Sequence, residues 1–196
     1  LCGSFNASLI RRAVSQIEAY GERPHEIICV GRKGLDFFRK RKFLVARDYL
    51  GVFQNLEFKN AVAIAEEIMD RFSTGELNQV DVIYNQFGSV IQQEVIVDRF
   101  LPIPARKSVQ NLEMFPEFVD YLFEPDPKGV LDLLVPRHLH FQIWRMLLES
   151  NAAEQGARMT AMDNATKNAG DLIDELMQDL NKARQTAITL ELMDIV

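Results

Sequence analysis

From Arg137 to Val196 the chain contains no proline, and apolar or small residues recur along it at steps of three and four. The stripe runs Leu139, Ile143, Met146, Ser150, Ala153, Ala157, Ala161, Ala165, Ala169, Leu172, Leu176, Leu180, Ala183, Ala187, Leu190. That period is helical. About sixty residues at ~1.5 Å per residue reach roughly 90 Å. A globular domain of about 130 residues has a radius of gyration near 14 Å. Most of the helix is therefore expected to project from the domain or to pack on something else. Steps of three and four give a coiled-coil-like seam, with a run of fours that departs from a strict heptad. Its middle is almost all alanine, which lets two helix axes approach closely. A partner helix is the sharper reading; an ordinary core helix of a bundle is the plainer one. The rest of the chain supplies no helix of comparable length, so the partner is expected from sequence outside this chain or from another subunit. Gly156 and Gly170 each cost about 1 kcal/mol against alanine in a helix, which favours a close-packed helix over a free-standing one.

Upstream, short apolar runs alternate with helical segments. Ala7 to Tyr20 carries Leu9, Ile10, Ala13, Val14 and Ile17 at helical spacing, and Gly21 follows as a stop. Glu26 to Val30 reads as a buried strand closed by Gly31. Gly34 to Lys42 reads as helix and Phe43 to Ala46 as strand. Asn60 to Phe72 is an amphipathic helix with Asn60 as a cap and Gly75 beyond its end. Val80 to Phe87 and Val90 to Leu101 read as two strands around Gly88-Ser89, a hairpin. Val119 to Phe123 is a further strand, ended by Glu124-Pro125-Asp126-Pro127, and segment 103–117 is a surface loop. Alternation of this kind implies a three-layer, Rossmann-like α/β domain with a mainly parallel sheet, and the hairpin adds antiparallel strands at one edge. The expected division is 1–126 for this domain and 127–196 for the long helix. Pro136 is compatible with a helix start or a kink but not with an unbroken interior.

Several function classes recede on composition. The net charge of -6 argues against general nucleic-acid binding. No run of eighteen apolar residues occurs, so no membrane-inserted segment is expected, and the start shows no signal-peptide pattern. It reads as an internal point of a longer protein. Cys2 and Cys29 lack metal spacing and read as buried reduced thiols. His138 and His140 stand two apart, which points them to different helix faces, and His25 is isolated, so no metal site is expected. The segment Leu1-Cys2-Gly3-Ser4-Phe5-Asn6 before a helix resembles a phosphate-holding turn. It carries neither nucleotide fingerprint, and no catalytic triad signature is present. The cluster Arg32-Lys33…Arg39-Lys40-Arg41-Lys42 is the one dense basic patch, read either as a solvated helix face or as a docking surface for an acidic partner.

Three stretches resemble the gamma subunit of the rotary F-type ATP synthase. The first is Leu1-Cys2-Gly3-Ser4-Phe5-Asn6, with Ser4 where that family commonly has glycine. The second is Tyr121-Leu122-Phe123-Glu124-Pro125. The third is the C-terminal helix, in its segments 150–162 and 181–196. The resemblance covers the whole chain. It implies a central-stalk rotor without catalytic residues or a cofactor of its own, coupling proton-driven rotation to ATP synthesis or hydrolysis on an alpha–beta hexamer. The partners it implies are the alpha and beta subunits, the epsilon subunit and the membrane c-ring. By position, Arg184, Gln185, Thr189 and Glu191 match residues that engage the beta subunits. Tyr121 and Glu124 match residues near the epsilon subunit and the membrane ring. Glu154 and Arg158 match a charged pair that affects coupling.

The family's N-terminal helix, which pairs antiparallel with the C-terminal one, and its extreme C-terminus are read as absent here. Self-association through an uncovered seam is the resulting expectation. The lack of a chloroplast-type cysteine insertion suggests a bacterial origin, and with it a peripheral position on the cytoplasmic face of the inner membrane. A nucleotide-binding domain with a helical oligomerisation arm is the alternative from a different class.

Overall fold

The computed structural model describes residues 2–90, 92–104, 124 and 126–193. The expected strand at 119–123, most of the expected loop at 103–117, and Tyr121 lie outside the described residues.

The elements alternate through the first hundred residues: α1 (Phe5–Tyr20), β1 (Ile27–Val30), α2 (Arg32–Lys40), β2 (Val45–Tyr49), α3 (Phe58–Ser73), β3 (Val80–Phe87) and β4 (Gln93–Leu101). A single long helix, α4 (Pro127–Met193), follows. This is the expected α/β domain with a helical arm. Strands β1 and β2 pair in parallel, Ile27 opposite Val45. Strands β3 and β4 form the expected antiparallel hairpin, with Phe87 opposite Gln93 and Tyr84 opposite Ile96.

Two buried clusters fill the domain. One joins α3, the hairpin and α4 through Ala61, Ile64, Ala65, Ile68, Tyr84, Phe100, Leu139, Ile143, Met146 and Leu147. The other joins α1, β1 and α2 through Ala13, Cys29, Leu35 and Phe38. Both cysteines are free and buried. Burial pushes the Cys29 thiol above its ordinary pKa, and nearby Asp48 adds to the effect. The reactive thiolate is thereby disfavoured.

The structure moves several element ends away from the sequence reading, each for a local reason. Strand β2 starts at Val45, two residues later than the expected Phe43, because the exit of α2 is a Schellman turn. Lys42 takes a left-handed conformation with φ 61°. Its N–H reaches the Arg39 carbonyl at 3.0 Å, and the Phe43 N–H reaches the Phe38 carbonyl at 3.0 Å. The Phe43 ring then folds back edge-on to Phe38, with centroids 5.4 Å apart. Phe43 and Leu44 are thus spent on the turn. Helix α3 ends in the same motif with Gly75 in the left-handed position at φ 80°, as the glycine there suggests. Its start differs: Glu57 is the N-cap residue, and Asn60 sits inside the first turn. The Asn60 amide donates instead to the Asn55 carbonyl at 2.9 Å.

Helix α4 opens with a cap that the sequence reading missed. The Asp126 carboxylate accepts the Gly129 N–H at 2.8 Å, and Pro127 takes the first helical position, where its missing N–H costs nothing. The helix then continues through Pro136, so this proline does not mark a helix start. The carbonyl deprived of its partner belongs to Asp132, four residues back. Asp132 is exposed, so water can satisfy it.

Candidate functional site

One helix serves two different surroundings. Its first half is a wall of the domain. Leu139, Ile143, Met146 and Leu147 are buried against α3 and the hairpin. Phe58 of α3 lies 5.2 Å from Phe141 and edge-on to Trp144 at 5.9 Å. His140 points toward Glu66 of α3, with Nε2 3.9 Å from the carboxylate, while His138 pairs along the helix with Gln142 at 2.9 Å. The two imidazoles therefore serve different neighbours, as their spacing implies.

The second half has no such wall. Every described residue from Met162 to Met193 is exposed. About 32 residues at ~1.5 Å rise make a free shaft of roughly 48 Å. Leu172, Ile173, Leu176, Met177 and Leu180 are each more than half exposed, and Leu190 and Leu192 near the far end likewise. An apolar ridge of this kind on one chain marks an interaction surface.

The sequence seam thus divides. Its first members, through Ala153, face the chain's own domain. Gly156 is buried too, and the reason is the hairpin turn. A Cβ added there would lie 3.3 Å from the Phe87 ring, 3.4 Å from the Gln93 amide and 3.4 Å from the Val90 Cα. The close packing expected of Gly156 is therefore real, but its first partner is a β-turn of the same chain and not a helix. Gly170 has nothing within 4 Å of such a Cβ.

The residues singled out from the sequence fall at three levels of α4. Glu154 and Arg158 form an i,i+4 ion pair just below the point where the shaft leaves the domain, and Arg158 also donates to the Gln155 side chain at 2.7 Å. Arg184, Gln185, Thr189 and Glu191 all stand exposed near the far end. Their spacing sets Arg184 with Glu191 on one face and Gln185 with Thr189 on the next. The Thr189 hydroxyl is turned inward, donating to the Gln185 carbonyl at 2.8 Å. Glu124 is exposed at the opposite end of the molecule from those four, two residues before the cap of α4. Tyr121 lies outside the described residues.

Two polar features off the shaft were not visible as a site in the sequence. The Asp81 carboxylate, near the start of β3, receives Tyr20 of α1, Arg99 of β4 and Gln79, the last at 3.1 Å. Burial works to raise its pKa, but the donated hydrogen bonds and the Arg99 charge outweigh it and hold the carboxyl below its usual range. Between β2 and α3, Glu67 accepts from Tyr49 and from Arg47 at 3.1 Å. Burial and that bond push the Tyr49 phenol up to about 12. Only the residue separations along the chain could have hinted at these clusters, and they are long: 61 positions between Tyr20 and Asp81.

The basic cluster of α2 flanks a shallow groove against α1, about 560 Å³ in volume, with Ile10, Val14 and Phe37 in its floor and Arg11, Lys33 and Arg41 on its rim. Arg39 is tied to Asp48 at 2.8 Å, and Arg41 lies over the Phe37 ring at 4.6 Å. The turn before α1 is a tight one, with Gly3 left-handed at φ 57° and the Phe5 N–H on the Cys2 carbonyl at 3.3 Å. Among the described residues no group of His, Cys, Asp and Glu is arranged to hold a metal, and no helix is long and apolar enough to cross a membrane.

A protein-family model described as ATP synthase matches residues 1–196. The ATP synthase gamma chain of Chlorobium phaeobacteroides (strain BS1) is 46% identical over 201 residues, covering 100% of this chain and 68% of that relative. The ATP synthase gamma chain of Salinibacter ruber is 46% identical over 210 residues, again covering 100% of this chain and 68% of the relative. Among solved structures, the central stalk and c-ring of the Tetrahymena thermophila mitochondrial ATP synthase matches with a TM-score of 0.64 and 28% identity, over 84% of this chain and 70% of that one. A chain of the Euglena gracilis mitochondrial ATP synthase matches with a TM-score of 0.66 over 99% of this chain and 66% of that one. At 20% identity this last likeness bears on the fold alone.

Proposed function

The chain belongs to the ATP synthase gamma-chain family, and from that membership we propose that it is the rotor at the centre of the complex: a non-catalytic central-stalk subunit that couples ion-driven rotation to ATP synthesis or hydrolysis. The observation that carries the reading is one long helix, rooted in the domain through Leu139, Ile143, Met146 and Leu147, that runs on to Met193 far beyond it. A shaft that turns inside a ring needs a rigid root and a long reach beyond it. It also needs contacts that form and break. Exposed polar pairs contribute only about 0–1 kcal/mol each, which suits repeated release better than a deep hydrophobic lock.

On this reading residues 1–126 are the α/β domain and 127–196 the shaft. The far end enters the hexamer of alpha and beta subunits, with Arg184, Gln185, Thr189 and Glu191 engaging the beta subunits in turn. Tyr121 and Glu124, at the other end, face the epsilon subunit and the c-ring. The Glu154–Arg158 pair stiffens the root of the shaft and bears on coupling. The complex is membrane-associated and this subunit is peripheral to it; the cytoplasmic face of a bacterial inner membrane is the proposed location.

Substitution at the far end provides the test. Arg184→Ala or Gln185→Ala is expected to lower ATP turnover of the assembled complex severalfold and to leave the circular dichroism and melting of the isolated chain unchanged, since exposed substitutions stay within about 0.5 kcal/mol. Native turnover in assembled complexes carrying either substitution would remove these residues from the role.

A further inference from the structure

The domain lies along the shaft from Leu139 to Thr160, and the upper end of that contact is made by a hairpin turn. The lower contact is the buried set Leu139, Ile143, Met146 and Leu147. The upper one lies at Gly156 and Thr160, about nine residues or roughly 14 Å further along the axis. There the turn between β3 and β4 brings Phe87, Val90 and Gln93 to 3.3–3.4 Å from where a Cβ would stand, closer than an ordinary side-chain contact. The Thr160 hydroxyl, which also faces the Gly156 carbonyl at 3.1 Å, lies 3.1 Å from the Val90 carbonyl. The turn itself is closed by its own bonds: the Ser89 N–H on the Gln92 carbonyl at 2.9 Å, and the Gln93 amide on the Val90 carbonyl at 2.6 Å. Gly156 leaves the room into which Phe87, Val90 and Gln93 press. One turn later the described helix becomes exposed on all sides.

We propose that the β3–β4 turn, seated on Gly156 and hydrogen-bonded to Thr160, is the brace that fixes the direction in which the shaft leaves the domain and supplies torsional stiffness at that joint. The proposal deepens the rotor reading and rests on it for its mechanical consequence. A contact carried further along the axis resists leaning better than a shorter one. The lever is long: a lean of about 10° at the exit displaces the far end by roughly 8 Å over a free length of ~48 Å. Gly156 is a positioning residue in this scheme. Its cost as a helix glycine is offset by the approach it permits.

The experiment uses the full-length protein in the assembled complex, with the hexamer immobilised and a probe on the α/β domain reporting angular fluctuation while the motor is stalled. Gly156→Val forces a branched side chain against the Val90 backbone and unseats the turn. Losing the upper end of the contact is expected to raise the angular variance of this collective motion clearly above native. Thr160→Val, which removes the donor and keeps the shape, is expected to raise the variance by less, and Thr160→Ser, which restores the hydroxyl, to return it to native. A merely structural role for Thr160 would not separate serine from valine in this readout. Native variance in Gly156→Val and Thr160→Val complexes that assemble and turn over would overturn the brace. A native complex in which this chain does not turn against the hexamer would overturn the rotor reading instead. The brace is then judged on the full chain alone, by the spread of distances between spin labels at Arg23 and Lys167. That spread widens in Thr160→Val if the turn holds the exit angle and stays native if it does not.

Discussion

Two halves of α4 carry the same apolar stripe and meet opposite fates. Below Ala161 the stripe is covered by α3 and by the hairpin; Leu139 is 3% exposed and Ala153 0%. Above it Leu172, Leu176 and Leu180 are 54%, 59% and 69% exposed. Period does not separate them, since both halves carry aliphatic and small residues at steps of three and four. What separates them is reach. The domain is only tall enough to cover the first half, and the helix simply outruns it. The same pattern is thus a core face at one end and a docking face at the other, and burial in this chain says which is which.

The comparison breaks most sharply under truncation of a core leucine or isoleucine. Ile143→Ala in the lower half is expected to cost about 2–5 kcal/mol, read as a lower denaturation midpoint in the isolated chain. Next comes the polar clamp that ties α1 to the hairpin carrying the brace. Asp81→Asn removes the charge that Tyr20, Arg99 and Gln79 address and is expected to cost about 2 kcal/mol at neutral pH.

The sign of the pH dependence follows from the direction of the shift. The folded Asp81 pKa lies below its unfolded value, so its stabilisation is complete above the ordinary carboxylate range near pH ~4. It is lost as the pH falls through the lower folded value. The Tyr49 phenol runs the other way. Raised to about 12, it contributes fully below pH ~10 and loses that contribution as the pH climbs toward the folded value. Equilibrium unfolding followed across pH 2–12 (a span of roughly this range contains both windows) in the native chain and in Asp81→Asn checks both signs. The substitution should flatten the acid limb and leave the alkaline one.

The smallest effects belong to the upper half. Gly170→Ala meets no neighbour and is expected to stabilise the free helix by about 1 kcal/mol, seen as slower amide hydrogen exchange around that turn. Leu176→Ala should change the stability of the isolated chain by less than about 0.5 kcal/mol. A large loss there would mean that the upper half is covered in solution, and the contrast between the two halves would fail.

Much of this molecule was legible before its structure. The α/β alternation, the hairpin at 80–101, the glycine stop at Gly75 and the long final helix all follow from local period and turn chemistry. Those are short-range properties, and a sequence displays them directly. Where expectation and structure part, the cause is a local backbone detail that the pattern does not advertise. Lys42 closes a left-handed turn that glycine would ordinarily mark. Asp126 caps a helix from within a Pro-rich stretch that reads as loop. Pro136 sits inside a helix because Asp132 faces solvent.

The sequence by itself determined that a helix of this length exists, that one stripe of it needs partners, and that Gly156 requires something close. Those consequences come from helical geometry and from the missing Cβ. Only the tertiary structure decided what comes close and where coverage ends. That depends on how far the hairpin reaches along the helix and on which side chains it turns inward, contacts between residues about seventy positions apart in the chain that no local pattern encodes. The glycine was readable; the β-turn resting on it was not.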